Sequence, residues 1–199
     1  MKRIWTWMWD SEKYLLDTLT HVGFVEKERQ GLFSLSITKV KPKVHDSAIK
    51  LQSISAGITI ADFVKANREA FKDDTSRPLE ENELEEWLEK SEGFLAECQL
   101  AAVIDETIVG TVMSEVITNP INDANHREAW IYGLGALEQY RRQGIASLLV
   151  SELTTRLSKQ GVKKIWLFTD IEGPIRSFYE HAGFVHEADW VDLDLVIDE

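Results

Sequence analysis

Residues 139–146 read QYRRQGIA and stand between a run typical of a β-strand, AWIYGLGAL, and a run typical of a helix, SLLVSELTTRLSKQG. The first turn of a helix carries backbone N–H groups without partners and the positive end of the helix dipole, so it favours an anion. Gly144 and Ala146 let an anion approach the backbone, and Arg141 and Arg142 can add charge-assisted hydrogen bonds. The stretch predicts a site for an extended anion such as a diphosphate; a polar turn with a glycine is the alternative.

The elements around this stretch form one continuous pattern from residue 47 to residue 199, in the order β-α-α-β-β-β-α-β-α-β. Their boundaries are indicated by capping and turn residues: Thr59 with Asp62 at the start of the first helix, Pro78 in the first turn and Gly93 at the end of the second, and a hairpin turn at Asp105-Glu106. The first strand is predicted at residues 50–58. Because strands and helices interleave, the predicted class is α/β or α+β with a mixed sheet.

The two ends of the chain resemble each other in sequence. The matches keep their order and nearly their separation: KRIWTWMWD at 2–10 with KKIWLFTD at 163–170, and HVGFVEK at 21–27 with HAGFVHE at 181–187. At each end of the chain the matched segments are followed by a run of alternating apolar and polar residues, which predicts a half-buried strand. We interpret residues 1–40 as a β-α-β remnant that resembles residues 162–197; chance similarity between two ordinary β-α-β units is the alternative.

A remnant, a linker and one main domain are therefore predicted. Residues 1–40 form the remnant, residues 41–46, KPKVHD, form a polar linker interrupted by a proline, and residues 47–199 form the main domain. Within the remnant Trp5, Trp7 and Trp9 alternate, so they share one face of a strand. We expect this aromatic face to pack against a helix, with ligand stacking as the alternative.

Composition narrows the class of partner. Lys and Arg total 22 and Asp and Glu total 34, a formal charge of −12, which argues against nucleic acid or an anionic membrane as the main partner. Cys98 is the only cysteine and the five histidines form no ligand-spaced cluster, so no disulfide and no metal site are expected. No signal peptide and no apolar run near the roughly 20 residues of a membrane span are found. A soluble, cytoplasmic protein is expected.

Two sequence motifs together resemble a known family. RRQGIA at 141–146 fits the (Gln/Arg)-x-x-Gly-x-(Gly/Ala) signature of the Gcn5-related N-acetyltransferases (GNAT), and RSFYEHAGF at 176–184 resembles the family's later helix, which ends in Phe-Tyr-x-x-x-Gly-Phe. The Walker pattern and the three-glycine dinucleotide fingerprint do not fit this stretch. The resemblance covers residues 47–199 with the order and spacing of the motifs intact.

This resemblance implies a GNAT fold and a site for acetyl-coenzyme A (acetyl-CoA). The implied fold has a mixed central sheet flanked by helices, with two strands that splay apart to admit the pantetheine arm. The implied cofactor-binding residues are Leu134 and Ala136 for the pantetheine amides and Arg141, Arg142, Gln143, Gly144, Ile145 and Ala146 for the pyrophosphate. Glu172 stands where the family often has an asparagine that contacts the coenzyme, and a carboxylate lacks the donors of an amide.

The resemblance also implies catalytic residues. Tyr179 matches the tyrosine that the family places near the coenzyme sulfur, where a protonated phenol acts as general acid; a buried core tyrosine is the alternative. Leu19 occupies the equivalent place in the amino-terminal copy, which also lacks the glycine signature, so residues 1–40 are expected to be non-catalytic. Glu128 and Glu115 are candidate general bases, and either could instead be a surface charge.

The expected function is acetyl-CoA-dependent transfer of an acetyl group to a primary amine of a small molecule or a protein, by direct attack of the amine. The alternatives are a catalytically inactive acyl-CoA-binding sensor or interaction module, and a site for another nucleotide. The expected partner is the amine acceptor, with no nucleic acid, membrane or metal, and the sequence allows a homodimer. Nothing in the sequence identifies the acceptor.

Overall fold

The computed structural model describes residues 2–37, 48–73, 77–118 and 127–197. In these residues eight strands and five helices alternate in the predicted order: β1 Lys2–Trp9, α1 Lys13–Val22, β2 Val25–Ser36, β3 Lys50–Ser53, α2 Ile60–Ala70, α3 Glu81–Lys90, β4 Leu100–Ile104, β5 Thr107–Thr118, β6 Arg127–Ala136, α4 Ile145–Lys159, β7 Val162–Asp170, α5 Gly173–His181 and β8 Val185–Ile197. The predicted mixed α/β fold is confirmed. The predicted linker at 41–46 lies outside the described residues.

The chain divides into two compact units. The terminal unit comprises Met1–Leu35 and Trp166–Glu199, and the central unit comprises Ser36–Ile165. Strand β7 therefore has residues in both units. The predicted domain boundaries at residues 41 and 47 stay a prediction.

In the central unit four strands form antiparallel pairs in the order β6-β5-β4-β3. The predicted hairpin is confirmed, since Asp105 and Glu106 both have positive φ, 45° and 64°, and join β4 to β5. Helices α2 and α3 bury apolar side chains with the strands and the segment after α3 in one cluster, made of Phe63, Val64, Leu79, Leu84, Phe94, Ala101 and Met113.

Three predicted boundaries in this unit need correction. Helix α3 ends at Lys90 and not at Gly93, because the Gly93 carbonyl accepts a hydrogen bond from Val116 of β5. Strand β3 ends at Ser53, because a short 3-10 turn at Ile54–Ala56 replaces the rest of the predicted strand. Helix α3 begins at Glu81, after Pro78, because the backbone N–H of Glu80 donates a hydrogen bond of 3.0 Å to the Glu83 carboxylate and so marks the start of the helix. The predicted cap of α2 is present, since Thr59 Oγ accepts a hydrogen bond from the Asp62 N–H at 3.0 Å.

In the terminal unit β8 lies between β1 and β2 and is antiparallel to both. Strand β1 pairs with β8 along its whole length, from Lys2 opposite Ile197 to Trp9 opposite Trp190. The buried cluster of this unit contains Met8, Phe24, Val191 and Leu193, and Leu16 and Leu19 of α1 pack against it. Residues from both ends of the sequence thus share one apolar core.

The expectation that the tryptophan face of β1 packs against a helix is wrong. Trp5 is 68% exposed and Trp7 46% exposed. Trp7 stacks on Trp190 of the neighbouring strand, with ring centroids 4.0 Å apart. The cause lies on the opposite face of β1, where Met8 is buried in the cluster against which α1 packs.

Helices α1 and α5 end with the same local geometry. Gly23 and Gly183 follow them with φ of 106° and 99°, a left-handed conformation that favours glycine. In each case the next residue, a buried phenylalanine, donates its N–H to a carbonyl five residues earlier at 3.0 Å: Phe24 to Leu19, and Phe184 to Tyr179. The interpretation of residues 1–40 as a repeat stays a prediction.

Candidate active site

The turn before α4 presents open backbone N–H groups. Gly144 precedes the helix with φ of 82°, and Arg142 has φ of 65°, so two left-handed residues flank Gln143. The first hydrogen bond of the helix runs from the Leu148 N–H to the Gly144 carbonyl, and no side chain caps the helix. The N–H groups of the first turn are therefore available to an anion.

Space at this turn also suits an anion. A Cβ atom built on Gly144 meets no atom within 4 Å, so the positive φ, and not crowding within the protein, requires glycine there. Ile145 is buried, and its side chain lies 2.8 Å from a Cβ built on Gly110, so the start of the helix packs tightly against β5. Ala146 is half-buried. The predicted loop is thus an exposed turn at the start of a helix that packs tightly against β5.

The two arginines of the turn have different roles. Arg141 donates hydrogen bonds to the carbonyls of Ala136 and Ala70, at 3.2 and 3.1 Å, and so ties the turn to the ends of β6 and α2. Arg142 has no hydrogen bond or ion pair within the described ranges and is exposed. Arg141 therefore holds the turn, whereas the side chain of Arg142 is available to an anion; a contact with phosphate stays a prediction. Gln143 donates to the Gln139 carbonyl at 3.1 Å.

Strand β6 contains an irregularity that re-aims one side chain. Gly133 lies opposite Met113 of β5 and Ile131 lies opposite Ser114, so Tyr132 is an extra residue in the ladder, a β-bulge. The Tyr132 hydroxyl donates a hydrogen bond of 2.7 Å to Glu115 Oε2. Burial and this hydrogen bond raise the pKa of Tyr132 above its usual value, which keeps the phenol protonated.

Glu115 of β5 is held from two sides. Its Oε1 accepts a hydrogen bond of 2.7 Å from Ser91 Oγ, and its Oε2 accepts the one from Tyr132. Ser91 follows α3 in a segment that contacts β5 closely, because the Val116 N–H donates to the Gly93 carbonyl at 2.8 Å. A Cβ on Gly93 would lie 1.9 Å from the Val116 carbonyl oxygen, so only glycine allows this approach. The carboxylate is therefore fixed in position.

Glu128, the other candidate base, lies near the start of β6 opposite Ile117. It is half-buried and interacts with another residue. Glu115 lines the large pocket described next, whereas Glu128 does not. The structure thus distinguishes the two candidates by position.

A pocket of about 870 Å³ opens between α2, α3, β5 and β6 in the central unit. Phe71, Met113 and Gly133 contribute its apolar floor, and Glu115 and Tyr132 contribute the polar groups of the two strands. A Cβ on Gly135 would lie 2.9 Å from the Phe71 ring, so this glycine lets the end of α2 approach β6. The pocket is concave and combines aromatic and apolar side chains with charged ones, and its volume lies in the range of small-molecule sites.

Tyr179 belongs to the terminal unit, on α5. Its side chain is 7% exposed and its ring packs edge to face with Phe184, at 5.4 Å between centroids. The hydroxyl has no hydrogen-bond partner in the described part of the chain, yet no fully buried side-chain polar atom there lacks one, so this oxygen reaches solvent. Burial raises the pKa of Tyr179 above its usual value. A protonated phenol with an open hydroxyl is suited to donate a proton.

Leu134 and Ala136 lie in β6, opposite Val112 and Gly110 of β5. The Ala136 carbonyl accepts the hydrogen bond from Arg141. The splaying of strands at this point stays a prediction. Glu172 precedes α5, is exposed and makes no capping hydrogen bond through its side chain.

Sequence reasoning does not single out Tyr132 and Ser91, the two residues that hold Glu115. One signal for Tyr132 is present: Gly133 and Gly135 stand close together within a strand, which indicates a bulge or a close backbone approach. No comparable signal marks Ser91, because its contact depends on how the segment after α3 packs on β5.

Two further observations concern membrane spans and metal ligands. None of the helices in the described ranges is both long and apolar enough to cross a bilayer. In the same ranges no three His, Cys, Asp or Glu side chains are grouped so that they could hold a metal ion.

Several solved structures have a similar fold. A GCN5-related N-acetyltransferase from Sphaerobacter thermophilus has a TM-score of 0.75 and 20% identity; the alignment covers 97% of this chain and 59% of that one. The present chain thus spans less than two thirds of that protein. A search of curated protein sequences finds no match.

Two further structures match a smaller part of the chain. The NatC complex bound to Gag peptide and CoA has a TM-score of 0.57 and 20% identity, covering 75% of this chain and 99% of that one. An aminoglycoside acetyltransferase from an uncultured soil metagenomic sample, in complex with sisomicin, has a TM-score of 0.53 and 16% identity, covering 67% and 84%. At these identities the likeness shows the fold alone.

The sequence model of the acetyltransferase (GNAT) family matches residues 61–184, which is more than half of the chain. The match includes the turn before α4, the pocket strands β5 and β6, and Tyr179. Together with the fold, this match confirms the resemblance found in the two sequence motifs. The chain belongs to the GNAT family of acetyltransferases.

Proposed function

We propose that this chain is an acetyl-CoA-dependent N-acetyltransferase that acts on a primary amine by direct attack. The observation that carries the proposal is the start of α4, where positive φ at Arg142 and Gly144 leaves uncapped N–H groups in an exposed turn. Such a turn suits a diphosphate. Because the family uses acetyl-CoA, the pyrophosphate of this cosubstrate is the fitting anion.

The residues of this chain would then have the following roles. The N–H groups from Gly144 to Ser147 hold the pyrophosphate, and Arg142 adds a charge-assisted contact. When bound, acetyl-CoA supplies the acetyl group as a reactive thioester. Glu115 accepts a proton from the ammonium group of the acceptor, since Ser91 and Tyr132 keep its carboxylate in place at the pocket.

The proton balance requires an acid as well as a base. Glu115 passes the proton of the ammonium group to solvent, which leaves a neutral amine. As the N–C bond then forms and the C–S bond breaks, the nitrogen loses a second proton to Glu115 and the sulfur gains one. Tyr179 is the proposed donor, because burial keeps its phenol protonated and its hydroxyl is not engaged by another described residue. Solvent restores both groups for the next cycle.

Calorimetric titration with acetyl-CoA tests the cosubstrate part of the proposal, and it requires no knowledge of the acceptor. We expect one site per chain with a dissociation constant near micromolar, which corresponds to about −8 kcal/mol. No heat at high micromolar concentration, with no competition by other acyl forms, would contradict it. Binding without turnover of any amine would instead favour an acyl-CoA sensor.

A matched pair of glycines sharpens this test. Gly144 and Gly161 stand at the two ends of α4 with φ of 82° and 79°, and a Cβ on either meets nothing within 4 Å. Alanine at either position should therefore cost a similar strain energy, about 1–2 kcal/mol. Only Gly144→Ala should weaken binding of acetyl-CoA, by roughly tenfold or more. Equal affinities of the two variants would argue against the turn as the site.

A further inference from the structure

One wall of the pocket in the central unit is aromatic. The Trp87 and Phe94 rings lie 5.2 Å apart between centroids, and the Phe94 and Tyr132 rings lie 6.4 Å apart with planes inclined by only 17°. Phe94 is buried and anchors this wall, whereas Trp87 and Tyr132 remain exposed enough to contact a ligand. Flat apolar groups and cations both bind to such ring faces.

The charges around the same pocket compensate one another except at Glu115. The lining cations are all in ion pairs: Arg68 with Glu80, Arg77 with Glu83, and Lys72 with Glu69 and Glu138. Glu115 is hydrogen-bonded to two neutral hydroxyls and has no cationic partner in the described part of the chain. One negative charge of the pocket is therefore left for a ligand to match.

We propose that the acceptor is a primary amine carried by a short chain on an aromatic or similarly flat apolar group. Its ammonium pairs with Glu115 and its ring lies on the wall formed by Trp87, Phe94 and Tyr132. This proposal rests on the proposed acetyltransferase function and adds the chemical class of the acceptor. The pocket volume of about 870 Å³ fits a small molecule of this kind, since ligand pockets span about 300–1,000 Å³.

The same features disfavour two related classes of amine. A carboxylate beside the amine, as in an amino acid, would lie close to Glu115 and be repelled by it. An aliphatic amine would leave the aromatic wall uncovered and gain less from burial. The wall and the single uncompensated charge together define the expected selectivity.

Three probes isolate these two features. Relative to 2-phenylethylamine, phenylalanine adds only a carboxylate, and butylamine has an ethyl group in place of the phenyl ring. With saturating acetyl-CoA we expect 2-phenylethylamine to have the highest kcat/KM, at least roughly tenfold above butylamine and about 10- to 100-fold above phenylalanine. Equal values for 2-phenylethylamine and butylamine would overturn the aromatic part of the proposal, and equal values for 2-phenylethylamine and phenylalanine would overturn the charge part.

Variants assign the selectivity to the named residues. Trp87→Leu should lower the ratio of kcat/KM for 2-phenylethylamine over butylamine, and Glu115→Gln should weaken binding of 2-phenylethylamine as measured by saturation-transfer NMR. Trp7→Leu, a tryptophan change in the terminal unit, is the control and should leave the ratio unaltered. An unchanged ratio in Trp87→Leu would place the selectivity elsewhere.

The outcomes separate this proposal from the proposed function. If acetyl-CoA binds and a lysine-containing peptide or an aminoglycoside is the better acceptor, the acceptor class is wrong and the acetyltransferase function stands. If acetyl-CoA does not bind, the proposed function is wrong. Saturation-transfer NMR of the protein without acetyl-CoA then still tests whether the pocket binds 2-phenylethylamine. Signals from the 2-phenylethylamine ring that Glu115→Gln weakens would support the proposal. The absence of such signals would overturn it.

Discussion

Helices α1 and α5 end in the same way, but the residue five positions before the buried phenylalanine is a leucine in α1 and a tyrosine in α5. After each helix a glycine with positive φ is followed by a buried phenylalanine whose N–H binds the carbonyl five residues back. That carbonyl belongs to Leu19 in the first case and to Tyr179 in the second. The backbone arrangement is therefore compatible with either side chain at this place.

The comparison separates what the fold requires from what the chemistry requires. Leu19 packs against the cluster of Met8 and Phe24, so an apolar side chain satisfies its position. Tyr179 is buried and packs against Phe184, but it adds a hydroxyl that has no partner among the described residues. This hydroxyl contributes no described hydrogen bond to stability, and its proposed role in proton donation stays a prediction.

The largest effect is expected from removal of residues 1–40, which include α1. Deletion of residues 1–40 removes both antiparallel neighbours of β8 and half of the cluster around Met8 and Phe24. Loss of these two side chains alone costs about 2–5 kcal/mol each, against a total stability of about 5–15 kcal/mol for a domain. We expect a greatly lowered Tm and aggregation, measured by thermal unfolding and light scattering.

A point variant on the same strand is the control for that deletion. Trp5→Ser changes an exposed residue of β1 and should leave Tm nearly unaltered, because surface changes are usually within about 0.5 kcal/mol. An unchanged Tm and solubility after the deletion would mean that residues 1–40 do not stabilise the rest of the chain.

The next largest effects are expected from substitution of Phe24 and Phe184, the two phenylalanines that follow the glycines. Phe24→Ala and Phe184→Ala each remove a buried ring and should each lower the free energy of unfolding by about 3–5 kcal/mol, measured with denaturant. Only Phe184→Ala should also lower kcat, because its ring contacts Tyr179. A similar loss of kcat in both variants would show that stability alone limits activity, and the distinction between the two regions would fail.

Tyr179→Phe tests the chemical difference directly. It should lower kcat by about 10²–10⁴-fold, the usual contribution of a general acid. The free energy of unfolding at neutral pH should change little, because the hydroxyl has no described partner. Tyr14→Phe, at an exposed tyrosine of α1, is the matched control and should alter neither quantity. A normal kcat in Tyr179→Phe would favour the sensor over the enzyme.

The same substitution has an expected signature at high pH. Burial raises the pKa of Tyr179 in the folded state above its unfolded value, which is about 10. The folded state then binds this proton more tightly, so its contribution to stability is complete below about pH 10 and is lost as the pH rises further. Chemical denaturation between neutral pH and pH 11 should show a smaller decline for Tyr179→Phe than for the parent chain. Equal declines would mean that the phenol titrates normally.

Local sequence patterns predict much of this molecule because they report local physics. The cap at Thr59, the hairpin turn at Asp105-Glu106 and the glycine before α4 all depend on a few neighbouring residues, and all are present as predicted. Alternation also placed Trp5, Trp7 and Trp9 on one face correctly. It could not tell which face of β1 the helix covers, because that depends on β8, which is more than 170 residues away in sequence.

In the candidate site, too, the sequence predicts the features that depend on neighbouring residues and misses those that depend on tertiary packing. The turn with Arg142 and Gly144 is readable from a short motif, since its conformation is set locally. The network of Ser91, Glu115 and Tyr132 joins three elements and relies on a bulge and on a backbone approach at Gly93. Such contacts follow from tertiary packing, and for this reason the sequence offers Glu115 and Glu128 as equal candidates.

The smallest effect is expected at the two glycines themselves. Gly23→Ala and Gly183→Ala should each destabilise the fold by about 1–2 kcal/mol, because alanine is strained at positive φ. A Cβ at either site lies 3.4 Å from a leucine methyl of another strand, Leu195 for Gly23 and Leu35 for Gly183, which is ordinary contact. Backbone strain therefore accounts for the expected loss in both variants.

Gly57→Ala isolates that strain, since Gly57 has φ of 108° and a Cβ there meets no atom within 4 Å. Equal losses in the three variants, measured by urea unfolding, would mean that the two helix ends are equivalent in energy as well as in geometry. A loss at Gly183 alone would mean that the end of α1 can relax its backbone without consequence. The likeness of the two regions would then be one of shape, and only α5 would depend on its glycine to hold Tyr179 in place.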